Sequence, residues 1–216
     1  MLDIDELADE IKAALGSPVD KDGNVVATTN EMKAFARAVI NTLKAGLVAN
    51  APGTINGSAA PGGPLLAGVG VGGLVSGLAV PTWLAELTSA FPSADAGQLS
   101  AEAAASTGYL MASSLVTFAA GKITGQCTAS PVSPGPLVNG AGMDGTIGGL
   151  VGVAWAAAVT AAIGGGGPLA GDVYSAAADH IMNKAICAYT ANTVVGSFAA
   201  GGGPLIGGTG LNGTIE

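Results

Sequence analysis

The sequence has few of the residues that build catalytic and metal-binding sites. Its 216 residues include one histidine and two cysteines, while charged residues make up 10% and aromatic residues 4%. With a single histidine and no Cys-x-x-Cys pair, a zinc or haem site is not expected. Cys127 and Cys187 form at most one disulfide bond, which excludes a disulfide-stabilised scaffold but leaves open whether the two residues pair.

Basic residues are also scarce. Seven Lys and Arg stand against 15 Asp and Glu, which gives a net charge of −8 at pH 7. Binding to a phosphate backbone requires clustered Lys and Arg, so the composition argues against a nucleic-acid partner. Acidic residues follow Met1 where a signal peptide would place basic and then apolar ones, so we expect synthesis in the cytoplasm.

What the sequence does contain is an internal repeat. A glycine-rich motif occurs at 63–75, 135–147 and 203–215, and its shared pattern is G-P-L-[LVI]-x-G-x-G-[VML]-[GDN]-G-[LT]-[VI]. Repetition of this quality determines how the rest of the chain is interpreted.

The repeat extends beyond the motif. Trp83 lies 19 residues after Pro64 and Trp155 lies 19 residues after Pro136, each at the start of a helix-like segment, and Ile11 falls in a first copy of that helix. We therefore predict an α+β fold of three tandem repeats of about 70 residues, at 1–76, 77–148 and 149–216, in one compact array. Each repeat reads as helix-loop-helix-strand followed by a Gly-rich β-hairpin. Units this small are marginal alone, so the array either closes around a pseudo-threefold axis or stacks as a short solenoid.

A second helix is predicted in each repeat from apolar residues at i, i+4, i+5 and i+8. The aligned stripes are Phe35, Val39, Ile40 and Leu43; Met111, Leu115, Val116 and Ala119; and Met182, Ile186, Cys187 and Thr190. Asn30 and Ser100 are the predicted N-cap residues of the first two copies.

The glycine motif itself predicts a β-hairpin. Alternating glycines leave one strand face without side chains, which lets another backbone approach closely. The aligned pairs Gly72-Gly73, Asp144-Gly145 and Asn212-Gly213 all favour a two-residue type I′ turn, so we expect the chain to reverse there.

Each copy of the motif also fits the G-x-G-x-x-G fingerprint of dinucleotide-binding proteins. The glycines concerned are Gly68, Gly70 and Gly73; Gly140, Gly142 and Gly145; and Gly208, Gly210 and Gly213. That fingerprint requires a helix directly after the turn. Because a return strand is predicted instead, we expect no cofactor. Gly121-Lys122 lacks the spacing of a P-loop.

Three further features of the sequence have residue types that occur in functional sites. Asp20, Asp22, Asn24 and Glu31 match ligand positions of a calcium-binding loop, but Val25 stands where that loop needs glycine, so a solvated turn is the prediction. His180, the only histidine, has no nucleophile motif near it. Trp83 and Trp155 recur at one position and are predicted core anchors. No catalytic, cofactor-binding or metal-ligating residue is expected.

A long uncharged run raises the possibility of membrane insertion. No charged residue occurs from Gly145 to Gly171, and 147–163 is apolar enough for a marginal membrane span. The helix within this run aligns with helices in the other repeats that carry charges, Glu86 among them. We therefore expect it to be buried in the protein.

The composition and the internal repeats together lead to an expectation about function. In overall character, apolar and Gly/Ala-rich, the sequence resembles structural proteins of tailed-phage particles. This resemblance implies a non-enzymatic virion protein of a tail, baseplate, neck or capsid, whose Gly-rich hairpins contact other copies of the chain and other structural proteins. We expect no small-molecule substrate. The alternative is a membrane-active protein, holin-like or pore-forming.

Overall fold

The computed structural model describes residues 1–16, 28–165 and 171–216. Its elements in chain order are α1 (Ile4–Ala14), α2 (Asn30–Lys44), β1 (Leu47–Ala59), β2 (Leu66–Ser76), α3 (Val80–Ala90), α4 (Ala96–Ser113), β3 (Leu115–Cys127), β4 (Gly135–Gly148), α5 (Gly152–Ile163), α6 (Gly171–Lys184), β5 (Ile186–Phe198) and β6 (Gly203–Ile215). The order α-α-β-β occurs three times, and the three β-hairpins form a closed six-strand antiparallel barrel. The predicted α+β repeat fold is thus confirmed, and closure of the barrel is consistent with pseudo-threefold symmetry.

The elements separate into two compact units. The helical unit comprises Met1–Ala45, Gly77–Ser113 and Gly149–Ala185, and the barrel unit comprises Gly46–Ser76, Ser114–Gly148 and Ile186–Glu216. Every repeat therefore contributes one helix pair to the first unit and one β-hairpin to the second.

The helical unit is a ring in which each helix contacts the next and α6 contacts α1. The N-cap residues of α2 and α4 are not the predicted ones. The side chains of Thr29 and Asp95 each accept a hydrogen bond from the backbone amide three residues further on, at 3.3 and 2.9 Å. Asn30 is the first residue of α2 and Ser100 lies inside α4, so neither is the cap.

Aromatic side chains fill the core of the helical unit. Trp83 on α3 and Trp155 on α5 are fully buried with ring centroids 6.0 Å apart, which confirms them as core anchors. Phe35 on α2 lies edge-on against Trp83 at 5.8 Å and against Tyr174 on α6 at 5.5 Å. Such pairs stabilise beyond the area that they bury.

The predicted alignment of the second helices is wrong. Helix α4 ends at Ser113 and α6 ends at Lys184, so the later members of both apolar stripes lie in strands β3 and β5. The burial pattern that the three helices share instead makes Ala103 and Tyr174 the residues equivalent to Phe35 in the other two repeats. The hydrophobic pattern continues past α4 and α6 because an apolar strand follows each of these two helices after one residue.

The uncharged run is divided between two elements. Ile147 lies in β4, and the helical part of the run is α5, which is only 12 residues long. Trp155 and Val159 are its buried residues, while Val153 is 71% exposed. The expectation of burial therefore holds for one face of the helix only.

In the barrel unit, consecutive strands pair antiparallel and β6 pairs with β1 to close the barrel. Inward side chains form layers of three, one from each hairpin: Val48, Val116 and Cys187; Asn50, Phe118 and Tyr189; and Ile55, Ile123 and Val194. A barrel of this size is filled by its own side chains.

The glycine motif forms one strand of each hairpin rather than both strands, and the predicted turn is wrong. Gly72, Asp144 and Asn212 do have positive φ, at 69°, 51° and 56°, but the strand continues through each of them. The φ values mark bulges in the ladders, where register shifts occur. The chain reverses instead at 60–65, 128–134 and 199–202.

The G-x-G-x-x-G glycines of the motif face the barrel interior or the neighbouring strand. A Cβ on Gly145 would lie 2.6 Å from Phe118 Cε1, and one on Gly210 would lie 2.5 Å from Tyr189 Cζ. At Gly140 it would meet the backbone oxygen of Val194 at 2.0 Å. The motif thus makes room for aromatic rings and for close strand pairing.

Candidate interaction surface

The glycine fingerprints are not phosphate loops. Gly68, Gly70 and Gly73 all lie within strand β2, and the equivalent glycines lie within β4 and β6. No helix N-terminus follows these glycines directly, so the geometry that binds a pyrophosphate is not formed by the motif.

His180 closes the helical ring. Its side chain is fully buried on α6, and Nδ1 lies 2.8 Å from the Glu10 carboxylate on α1. The equivalent positions Asn41 and Tyr109 also contact the first helix of the next repeat: Asn41 donates to Glu86 at 3.0 Å, and the Tyr109 hydroxyl donates to a backbone oxygen of α5's N-cap at 2.9 Å. Histidine at this place is therefore one of three related helix-to-helix contacts.

A cleft of about 480 Å³ lies beside His180, between α1 and α6. Ser175 lines it, but its hydroxyl is directed to the backbone oxygen of Gly171 at 3.4 Å. The thiol of Cys187 belongs to the barrel unit, whereas His180 belongs to the helical unit. Among the described residues, neither Ser175 nor Cys187 is hydrogen-bonded to His180.

Most of the calcium-loop residues lie outside the part of the chain that the structure describes. Asp20, Asp22 and Asn24 lie outside the described residues, and Glu31 stands in the first turn of α2. Within 1–16, 28–165 and 171–216, no group of three His, Cys, Asp or Glu side chains is arranged to hold a metal ion.

A buried carboxyl group was missed by the sequence analysis. Glu102 is fully buried on α4, where one carboxylate oxygen accepts a hydrogen bond from the Tyr174 hydroxyl at 2.9 Å. Its other oxygen has no hydrogen-bond partner among the described residues. Loss of hydration raises the pKa of Glu102 to about 7, while the Tyr174 hydrogen bond opposes that rise. Ala34 and Val173 occupy the equivalent positions, so the other repeats have an apolar residue here.

The barrel interior is filled by buried side chains. The Tyr189 hydroxyl donates to Asn50 Oδ1 at 2.7 Å, and Phe118 stacks on Tyr189 with centroids 5.0 Å apart. Cys127 and Cys187 are both buried and free, so they do not form a disulfide bond. Burial raises the pKa of Cys187 to about 12, which leaves its thiol protonated and unreactive.

The outer surface of the barrel unit is the feature that needs a functional explanation. Lys122, Asp144 and Glu216 are its only charged residues, and the first two form an ion pair at 2.6 Å. Large apolar side chains are exposed on the outside of the barrel unit. This barrel surface comprises Leu47, Leu66, Val71, Leu74, Leu115, Val132, Met143, Ile186, Val195, Ile206 and Leu211. Exposed apolar groups in such numbers, with so few charges between them, are typical of an interaction surface.

Comparison with known proteins gives no relative. No family model, curated protein or solved structure matches the chain. Among the described residues, no helix has both the length and the apolar character needed to span a membrane.

Proposed function

We propose that the protein is a non-enzymatic structural component of a large assembly, namely a virion protein of a tailed-phage tail, baseplate, neck or capsid. It is made in the host cytoplasm and contacts other copies of itself and other structural proteins. The observation that carries the proposal is the barrel surface, which exposes large apolar side chains with almost no charge.

The Gly-rich hairpins supply this surface. All six strands are paired on both sides, so contacts by strand addition at a free edge are not available to β1–β6. The contacts instead use outward side chains. Val71, Met143 and Leu211 stand at one position of the three motifs and are 46%, 49% and 50% exposed.

Threefold repetition supports the same role. Equivalent side chains at three places around one chain fit partners that are themselves arranged about a threefold or sixfold axis. A single chain of this kind can occupy such an axis where three separate subunits would otherwise be needed.

Incorporation into particles tests the proposal. A tagged chain is expressed in the cells that produce it, and the lysate is fractionated by density gradient. We expect the wild-type chain to sediment with particles, and Met143→Asp to remain in the light fractions because the substitution places a charge at the contact. Ser100→Asp, on the exposed side of α4, is the control for added charge. A wild-type chain found only in the light fractions would contradict the proposal.

The membrane-active alternative rests on the same exposed apolar surface. A holin-like or pore-forming protein would bind liposomes of the host lipid composition and float with them in a density gradient. Purified chain that remains in the soluble fraction, while sedimenting with particles in lysates, favours the structural role.

A further inference from the structure

Helix α4 buries a polar face where the second helices of the other two repeats bury an apolar one. The polar residues are Glu102, Ser106 and Thr107. Their repeat equivalents are Ala34, Ala38 and Val39 on α2, and Val173, Ala177 and Ala178 on α6, and all six are buried. The fold therefore does not require polar groups at these positions, and their presence in one repeat needs an explanation.

Hydrogen bonds from the aromatic core satisfy this polar face only in part. Ser106 accepts a hydrogen bond from Trp155 Nε1 at 3.1 Å. Glu102 accepts one from the Tyr174 hydroxyl at 2.9 Å, while its second oxygen has no partner among the described residues. A carboxylate at this place would be buried with a single hydrogen bond, which favours the neutral carboxyl.

The helices that pack on α4 supply no charge to compensate an ionised Glu102. Helices α3 and α5 are its neighbours in the ring. Glu86, the charged residue of α3, is paired with Arg37 at 2.9 Å, and α5 has no charged residue. On α4 itself, the Tyr109 hydroxyl is directed to the backbone of Val151.

Helix α6 contributes the Tyr174 hydroxyl to this site and directs its other titratable groups elsewhere. The His180 ring lies 2.8 Å from the Glu10 carboxylate of α1. The charged residues of α6 are exposed or paired with α1, and they are Asp172, Asp179 and Lys184. Within the described part of the chain, loss of hydration and the Tyr174 hydrogen bond are thus the effects that set the pKa of Glu102.

Helix α4 is also the least firmly packed of the three second helices. It buries three hydrophobic side chains, Leu99, Ala103 and Leu110, whereas α2 buries seven and α6 buries five. Gly108 lies in its interior, where glycine disfavours a helix. Local opening is least costly where few apolar contacts have to be broken, so α4 is the second helix expected to open most readily.

We infer that the Glu102–Tyr174 pair makes α4 a pH-sensitive element, which stays packed while the Glu102 carboxyl is neutral and opens from the core of the helical unit when that carboxyl is ionised. The inference does not depend on the proposed structural role. Burial raises the pKa of Glu102 from 4.5 to about 7, and opening returns the group to water. The ionised form therefore favours the open state, and the open fraction rises with pH from about 4.5 and levels off above about 7.

The barrel unit provides an internal reference. Cys187 and Tyr189 are buried there, and burial raises the pKa of both groups, that of Cys187 to about 12. Neither group changes its charge between pH 5 and pH 8. Opening of α4 should therefore leave the backbone amides of β1–β6 as protected at pH 8 as at pH 5.

Hydrogen–deuterium exchange of the purified chain at pH 5 and pH 8, read by mass spectrometry and divided by the intrinsic exchange rates, tests the inference. We expect the protection of α4 peptides to fall by roughly 10- to 100-fold between the two pH values, as the two pKa values of Glu102 require. Glu102→Gln should remove this fall. Asp179→Asn removes an exposed carboxylate from α6 and should keep it.

Tyr174→Phe provides a second test that does not depend on the folding of Glu102→Gln. The Tyr174 hydrogen bond opposes the rise in the pKa of Glu102, so its loss raises that pKa further. With exchange followed from pH 5 to pH 9, the pH at which α4 protection stops falling should therefore move upward. A purely structural role of the Tyr174 hydroxyl would lower protection equally at every pH.

Three results would overturn the inference. The first is equal protection of α4 at pH 5 and pH 8 in the wild-type chain. The second is a fall of full size that persists in Glu102→Gln, which would assign the effect to another group such as His180. The third is a fall shared by β1–β6, because the whole chain would then be unfolding.

Discussion

Substituting Gly145 with alanine tests why the motif is rich in glycine. The added Cβ would lie 2.6 Å from Phe118 Cε1 and 2.7 Å from Cζ, both far inside van der Waals contact. Phe118 is fully buried and stacked on Tyr189, so its ring has no free space to enter. Overpacking of this kind costs about 1–3 kcal/mol in the free energy of unfolding.

A rescue experiment isolates the cause. Phe118→Leu removes the ring and alone costs about 1–2 kcal/mol through lost burial. In the double variant the clash is absent, so the two effects are not additive and the coupling energy is about 1 kcal/mol or more. Urea unfolding followed by far-UV circular dichroism measures all four proteins.

Gly148 provides the matched control in the same strand. A Cβ there would meet nothing closer than the backbone oxygen of Leu115 at 4.0 Å, so Gly148→Ala is expected to be neutral or to stabilise by about 0.5 kcal/mol. If Gly145→Ala is as stable as Gly148→Ala, or its effect simply adds to that of Phe118→Leu, the explanation of the glycine face is wrong.

Three other predictions concern groups inside the two units. Because the pKa of Glu102 is raised, its contribution to the free energy of unfolding is fully present below about pH 4.5 and is lost as the pH rises through about 7, by about 3 kcal/mol in total. Glu102→Gln should flatten this dependence when urea unfolding is measured at pH 5 and pH 8. A variant with the wild-type pH dependence would refute the assignment. Cys127 and Cys187 should both resist iodoacetamide in the native protein and both react in denaturant, as peptide mass spectrometry would show; rapid native alkylation would contradict their burial. Gly140→Ala should destabilise more than Gly145→Ala, because its Cβ would meet a backbone oxygen at 2.0 Å, and thermal unfolding that ranks them in the opposite order would count against this reasoning.

The repeats made the architecture predictable. The equal spacing of Trp83 and Trp155 from their motifs predicts the first helix of the second and third repeats, and those two residues do anchor one core. Closure around a pseudo-threefold axis was one of two alternatives, and the barrel itself was not predicted, since the hydrogen bonds between β6 and β1 join residues too far apart in sequence to leave a local pattern.

The missed features depend on contacts between segments. The sequence Asn212-Gly213 is compatible with a turn and with a β-bulge, because both structures place a residue at positive φ. The rings of Phe118 and Tyr189, which occupy the space over the glycines, come from neighbouring strands. For the barrel surface, the sequence predicted contact-forming hairpins, but only the structure shows that glycines such as Gly145 face inward and residues such as Met143 face outward.

Electron cryomicroscopy of the particles that carry the chain tests the central claim most directly. The account predicts density for the chain within the particle, with Val71, Met143 and Leu211 of the barrel surface buried against neighbouring subunits. Particles that lack the chain, or that contain it with the barrel surface facing solvent, would contradict the account.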